Sequence, residues 1–94
     1  MLVLELLVEM GDKAECANKF IRVKGDRTVE FNSADGALIL RVNENAPSPT
    51  CGELRNFIQA NYISKFDKVS TIDKKGNLEP ASSCSNWSDE IMID

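Results

Sequence analysis

Apolar positions near the start of the chain recur at every second residue. The even-numbered positions of the first ten residues are all apolar: Leu2, Leu4, Leu6, Val8 and Met10. This spacing is typical of a strand with one buried face, and Glu5 and Glu9 fall on the opposite face. Leucine, glutamate and methionine also favour helices, so a helix is the alternative for this segment. Because the even-numbered face is unbroken, we predict a strand.

Alternating patterns predict three more strands in the first half of the chain. These strands are residues 20–24, 27–31 and 37–42. Turn signals separate them at Gly25 and Asp26 and again over residues 32–36. The segment 11–19 fits either one or two helical turns or a loop. The short connections between the strands favour antiparallel hairpins.

A helix start signal follows at Thr50. Thr50 and Glu53 match the capping box, in which the hydroxyl accepts from the Glu53 amide and the carboxylate reaches back to the Thr50 amide. The signal predicts a helix from about residue 51 to 65. Its apolar side chains share one face at helical spacing: Leu54, Phe57, Ile58 and Tyr62.

A last hairpin is predicted from residues 68–72 and 77–79, with Gly76 in the left-handed conformation of its turn. Together the elements predict an α+β fold: a small antiparallel sheet of four to six strands, with the helix at about 51–65 packed on one face. We expect residues 1–80 to form one compact domain. Residues 81–94 are Ser-rich and then acidic, and we expect them to form a C-terminal tail.

Composition narrows the classes of function. The chain has 94 residues, 43% hydrophobic and 28% charged, which indicates one small globular domain without room for a deep substrate cavity. It contains no histidine, so a Ser–His or Cys–His dyad is impossible within it. Its glycines are scattered singly and form no phosphate-binding loop. We therefore expect no enzymatic activity, no cofactor and no metal site.

Three cysteines occur at wide spacing: Cys16, Cys51 and Cys84. An odd number without a C-x-x-C pair favours reduced thiols over a disulfide framework. We expect Cys16 and Cys51 to be small core residues and Cys84 to be an exposed thiol. The apolar start of the chain carries no basic region or cleavage site and is too short to span a bilayer. These features predict a cytoplasmic protein without membrane contact.

Negative charge is concentrated at one end of the sequence. The net charge is −4, and acids and bases balance through Lys75, so the four acids after Gly76 account for the whole imbalance. Nucleic-acid binding needs clustered Lys and Arg. The nearest such group, Arg22, Lys24 and Arg27, is offset by neighbouring acids. We therefore expect no direct binding of nucleic acid.

The acidic segment also holds the only tryptophan and a run of large apolar residues. Three alternatives remain open for it: docking on its own sheet, binding a partner with Trp87 as the anchor, or a frayed end. For the second alternative, the candidate partner-binding residues are Trp87, Asp89, Glu90, Ile91, Met92 and Ile93.

These observations favour a small acidic protein-binding module that occupies the surface of a larger protein, as an inhibitor or an adaptor. The acidic end fits a basic partner. A phage-type antagonist of a nucleic-acid-handling host protein, such as a defence nuclease, is one form of this hypothesis. The alternative is a structural subunit that assembles through its sheet edges as a homo-oligomer.

Overall fold

A computed structural model describes every residue from Met1 to Asp94 as three helices and seven strands. The helices are α1 (Val3–Met10), α2 (Lys13–Cys16) and α3 (Cys51–Ala60). The strands are β1 (Phe20–Val23), β2 (Val29–Ala34), β3 (Ala37–Val42), β4 (Lys68–Ile72), β5 (Leu78–Pro80), β6 (Cys84–Asn86) and β7 (Glu90–Ile93). The predicted α+β class is confirmed.

The strands form two mixed sheets rather than one antiparallel sheet. One sheet has the order β2-β3-β4-β5 and the other has the order β1-β7-β6. β3 pairs with β4 in parallel, and β1 pairs with β7 in parallel. The antiparallel prediction failed at β3 and β4 because α3 connects them, and a helical crossover returns the chain in the same direction.

The predicted strand at the start of the chain is wrong, because these residues form α1. Val3, Leu6 and Met10 are fully buried at helical spacing, whereas Leu4 and Val8 of the predicted buried face are exposed. The Glu5 carboxylate accepts from the Leu2 amide at 3.0 Å and so satisfies a free donor at the helix start. The helix ends at Gly11, whose φ of 74° suits glycine.

The predicted helix start at Thr50 is confirmed. The Thr50 hydroxyl accepts from the Glu53 amide at 3.3 Å. Leu54 and Ile58 of α3 are buried in the core, and the ring of Phe57 lies 5.6 Å from that of Phe31 in β2. α3 therefore forms one wall of the core.

α3 ends at Ala60, well before the predicted end near residue 65. Tyr62 takes a φ of 52°. Its amide donates to the Gln59 carbonyl at 3.2 Å, and the Ile63 amide donates to the Ile58 carbonyl at 3.1 Å. This pair of bonds is the Schellman motif, which normally has glycine at the left-handed position. Tyr62 is 94% exposed, so its predicted place in the core is wrong.

The cysteines differ from the prediction of reduced thiols. Cys16 and Cys51 are fully buried, as expected, but they are joined in a disulfide with their Cα atoms 5.7 Å apart. The pairing could not be derived from sequence because the two residues come from separate helices. Cys84 is half-buried rather than exposed, and burial, together with the charge of Glu9, raises the pKa of its thiol to about 12.

The C-terminal segment pairs with the rest of the chain. β7 is the middle strand of its sheet, between β1 and β6. Ile91 and Ile93 are fully buried and face the core with Ile21 and Val23 of β1. Of the three alternatives for residues 81–94, the structure matches docking on the protein's own sheet.

Candidate functional site

A tight turn joins β6 to β7 and presents the only tryptophan. We call residues 87–89 the hairpin tip. The Trp87 amide donates to the Glu90 carbonyl at 2.9 Å and closes the turn. The Trp87 side chain is 61% exposed. A large apolar side chain is thus held on the surface without being needed by the core.

Polar contacts fix the hairpin tip against the helices. The Lys19 ammonium donates to the Asn86 side chain and, at 3.1 Å, to the Trp87 carbonyl. The Asn86 side-chain amide in turn donates to the Glu9 carbonyl at the end of α1, at 3.1 Å. Because these bonds order the turn before any partner arrives, less conformational entropy is lost on binding.

Three acidic residues belong to the segments that meet near the hairpin tip. A methyl group placed on Gly11 would lie 3.5 Å from the Glu15 carboxylate and 4.0 Å from the Asn86 amide, so Glu15 lies beside the tip. The Glu9 charge acts on Cys84 of β6, and Asp89 is exposed within the turn itself. None of these acids forms an ion pair. We call this surface the acidic corner: Glu9, Glu15, Trp87 and Asp89.

The structure divides the candidate partner-binding residues into two groups. Trp87 and Asp89 lie together on the surface. Ile91 and Ile93 are fully buried and Met92 is half-buried. The burial of the two isoleucines assigns them to the core and removes them from any surface that a partner meets.

The Glu90 carboxylate is held by two arginines of the same chain. One of its carboxylate oxygens accepts from Arg27 Nε at 3.0 Å and forms an ion pair with Arg22 Nε at 2.9 Å. The Arg22 contact lacks hydrogen-bond geometry, so it is a purely ionic contact. The Arg27 guanidinium also lies 4.9 Å from the Phe20 ring centre. The basic residues considered for nucleic acid are therefore paired with acids of the same chain: Arg22 and Arg27 with Glu90, and Lys24 with Glu79.

Sequence reasoning missed the residues that other elements bring close to the hairpin tip. Glu9, Glu15 and Lys19 lie far from Trp87 along the chain, and the prediction of a strand at the start of the chain placed Glu9 on a sheet. No local signal identifies such contacts, because they arise only when β6 packs beside α1.

The surface has three depressions. The largest, of about 440 Å³, lies between α1 and α3. The other two are polar, of about 310 and 300 Å³, and share Asp26 and Lys74. No three His, Cys, Asp or Glu side chains are grouped as metal ligands would be.

Comparison with known proteins gives no match: no family model, curated protein or solved structure resembles this chain. Its helices all fall short of the length and apolar character that crossing a bilayer requires. The functional argument therefore depends on the geometry of the acidic corner.

Proposed function

We propose that this protein is a small non-enzymatic protein-binding module whose acidic corner docks on a basic surface of a larger protein. One observation supports this above all: the exposed Trp87 lies in a turn whose backbone is held by hydrogen bonds, and the carboxylates of Glu9, Glu15 and Asp89 in the neighbouring segments have no ion-pair partner. Tryptophan is among the residues that contribute most to interface affinity when a partner pocket encloses them.

The carboxylates and the indole have separate roles in this proposal. Glu9, Glu15 and Asp89 attract a cationic surface over long range and accelerate encounter. Trp87 then enters an apolar pocket and slows dissociation. Binding is expected to weaken at high ionic strength through a slower association rate.

The partner that fits is a basic protein that handles nucleic acid. Such proteins carry Lys and Arg clusters that contact phosphates, and surface carboxylates can occupy the same clusters. Acting there, the module is an inhibitor or an adaptor, and a phage-type antagonist of a host defence nuclease is the specific form that we propose. The module itself is not proposed to bind nucleic acid.

Affinity capture from the native host tests the proposal. The wild-type chain, Trp87→Ala and Leu78→Ala serve as baits, because Leu78 is exposed to a similar degree on a distant strand. We expect the wild type and Leu78→Ala to retain the same partner and Trp87→Ala to lose it. Titration with the purified partner should then show weaker binding at high salt. Equal capture by all three baits would contradict the proposal.

The same proposal places the protein in the cytoplasm. Disulfides are rare in cytosolic proteins, so the state of Cys16 and Cys51 in cells is informative. Thiols are trapped by alkylation during lysis and counted by mass spectrometry. Three modified cysteines would support a cytoplasmic location, whereas modification of Cys84 alone would indicate an oxidising compartment.

A structural subunit is the second candidate, and the edge of β2 favours it. β2 pairs only with β3 and forms one edge of the sheet. Along its open edge a single backbone hydrogen bond is made, from the Val29 amide to the Pro47 carbonyl at 3.3 Å. An open edge can pair with another copy of the chain. Light scattering over a range of concentrations tests this, and a constant monomer mass would exclude the candidate.

A further inference from the structure

A groove separates α1 from α3 on a side of α1 that the acidic corner does not use. Its walls include Leu7 of α1, Ile58 of α3 and Ile63 just after α3, and Tyr62 also lines it. Ile58 and Ile63 meet there because the Schellman motif joins their backbones. We call this depression the helix groove.

Exposed apolar side chains extend the helix groove along α1. Leu4, Val8 and Phe66 are 38%, 70% and 67% exposed. The Leu4 amide donates to the Lys65 carbonyl at 2.8 Å, which places the start of α1 beside Phe66. Several large apolar side chains exposed on neighbouring segments are uncommon on a monomer and are typical of an interaction site.

The cations around the helix groove have no carboxylate partner. Lys13 and Arg55 line it, and Lys65 lies 5.3 Å from the Phe66 ring centre. None of the three forms an ion pair. Arg55 instead donates to the Leu7 and Gly11 carbonyls at the end of α1. Because these acceptors are uncharged, they do not neutralise the positive charge of the guanidinium.

The acids of α1 are not among the residues that line the helix groove. Glu5 bonds the Leu2 amide, and the charge of Glu9 acts on Cys84 of β6. Glu15, which follows Lys13 in α2, lies beside Asn86 instead. The lining of the helix groove therefore includes two cations, Lys13 and Arg55, and no carboxylate.

Tyr62 is the unusual residue at this site. A bulky residue in the left-handed region is strained, and glycine would complete the Schellman motif without that strain. The residue is nonetheless 94% exposed where it lines the groove. Strain of this kind is concentrated where side chains contact ligands.

We infer that the helix groove binds an acidic amphipathic helix of a second protein. Leucine-like side chains of that helix would enter between Leu7 and Ile63, and its flanking carboxylates would meet Lys13, Arg55 and Lys65. With two surfaces of opposite charge, the molecule would act as an adaptor. The groove assignment itself does not depend on the function proposed for the acidic corner.

A designed pair of peptides tests the inference on the full chain. The first is a fluorescein-labelled helix with leucine at i, i+3, i+4 and i+7 and glutamate at the flanking positions. The second has lysine in place of each glutamate. Fluorescence anisotropy should show the lysine peptide binding at least about tenfold more weakly than the glutamate peptide. Equal binding of the two, or no binding of the glutamate peptide, would overturn the inference.

Variants of the chain assign the binding to the helix groove. The double variant Lys13→Glu, Lys65→Glu should prefer the lysine peptide. Tyr62→Gly should bind the glutamate peptide about tenfold more weakly while its thermal midpoint rises, so misfolding cannot explain the loss. Unchanged affinity in either variant would overturn the assignment. Trp87→Ala should leave peptide binding intact, which separates failure of this site from failure of the acidic corner.

Discussion

The hairpin tip and β7 are neighbours in sequence, but they have opposite environments. Trp87 in the tip is exposed, whereas Ile91 and Ile93 in β7 are fully buried in the middle of a sheet. The alternation in β7 is explained by the fold, since every second side chain faces the core. The fold does not explain why a tryptophan occupies the exposed position 87. We therefore expect substitutions in β7 to lower stability and substitutions in the hairpin tip to lower binding, although both belong to one short hairpin.

Ile91→Ala should have the largest effect on stability. A buried isoleucine replaced by alanine leaves a cavity, and such changes cost about 2–5 kcal/mol of unfolding free energy. For a domain of this size this is a large part of the total. Urea unfolding followed by circular dichroism measures the change, with the half-buried Met92→Ala as the control. A loss no greater than that of Met92→Ala would show that β7 is not part of the core.

Glu90→Gln should have an intermediate effect. It removes the charge shared by Arg22 and Arg27 and leaves two guanidinium groups close together without a carboxylate. Loss of a partly buried charged contact costs roughly 1–3 kcal/mol. Asp89→Asn, one residue earlier but exposed, is the matched control and should be close to neutral. Equal midpoints for the two variants would contradict the structural role of Glu90.

Tyr62→Gly should stabilise the protein. Tyr62 is exposed like Trp87, but its backbone is in the left-handed region, at φ 52°. Glycine removes a cost of about 1 kcal/mol there, and a raised thermal midpoint would confirm it. Asn61→Gly, one residue before the strained position, is the control and should not stabilise. A fall in the midpoint of Tyr62→Gly would show that the ring contributes to packing.

Trp87→Ala should leave stability nearly unchanged, within about 0.5 kcal/mol, because the indole is exposed. Its effect is expected on binding alone. If thermal unfolding showed a loss similar to that of Ile91→Ala, the contrast between the tip and the strand would be wrong.

The smallest expected effect is that of Asp73→Asn on the thermal midpoint, and it is confined to acidic solution. In the β4–β5 turn the Asp73 carboxylate accepts from the Asn77 amide at 3.0 Å and from the Lys75 amide at 2.9 Å. These bonds, that of Asn77 first, lower the pKa of Asp73 below its ordinary value of 3.8. The stabilisation is complete above that value and is lost as pH falls through the lower pKa of the folded state. Thermal midpoints of Asp73→Asn should therefore depend less on pH in strong acid than those of the wild type.

The sequence predicted those elements that local chemistry determines. Thr50 and Glu53 locate the start of α3 because a cap needs only residues three positions apart. Gly76 likewise locates the β4–β5 turn, where its φ is 86°. The start of the chain was ambiguous because Leu6 and Met10 fit both a strand face and a helix face. Burial of Val3, Leu6 and Met10 in the shared core decides between them, and sequence periodicity alone does not contain that information.

The candidate site was predicted only in part. Trp87 was found because a lone tryptophan among acids is conspicuous in a sequence. Glu9 and Glu15 were not found, since they reach the tip through contacts between distant segments. The end of α3 was missed because Tyr62 occupies the position where glycine would have signalled it.

The parallel pairing of β1 with β7 has a consequence for biosynthesis. Residues 20–23 leave the ribosome early, but their partner strand, residues 90–93, is made almost last within the described sequence. Until residues 90–93 have been made, Ile21 and Val23 therefore lack the strand that pairs with β1. Contacts so distant in sequence slow folding and prolong the lifetime of aggregation-prone intermediates. Newly made chains are expected to depend on chaperones until the second sheet closes.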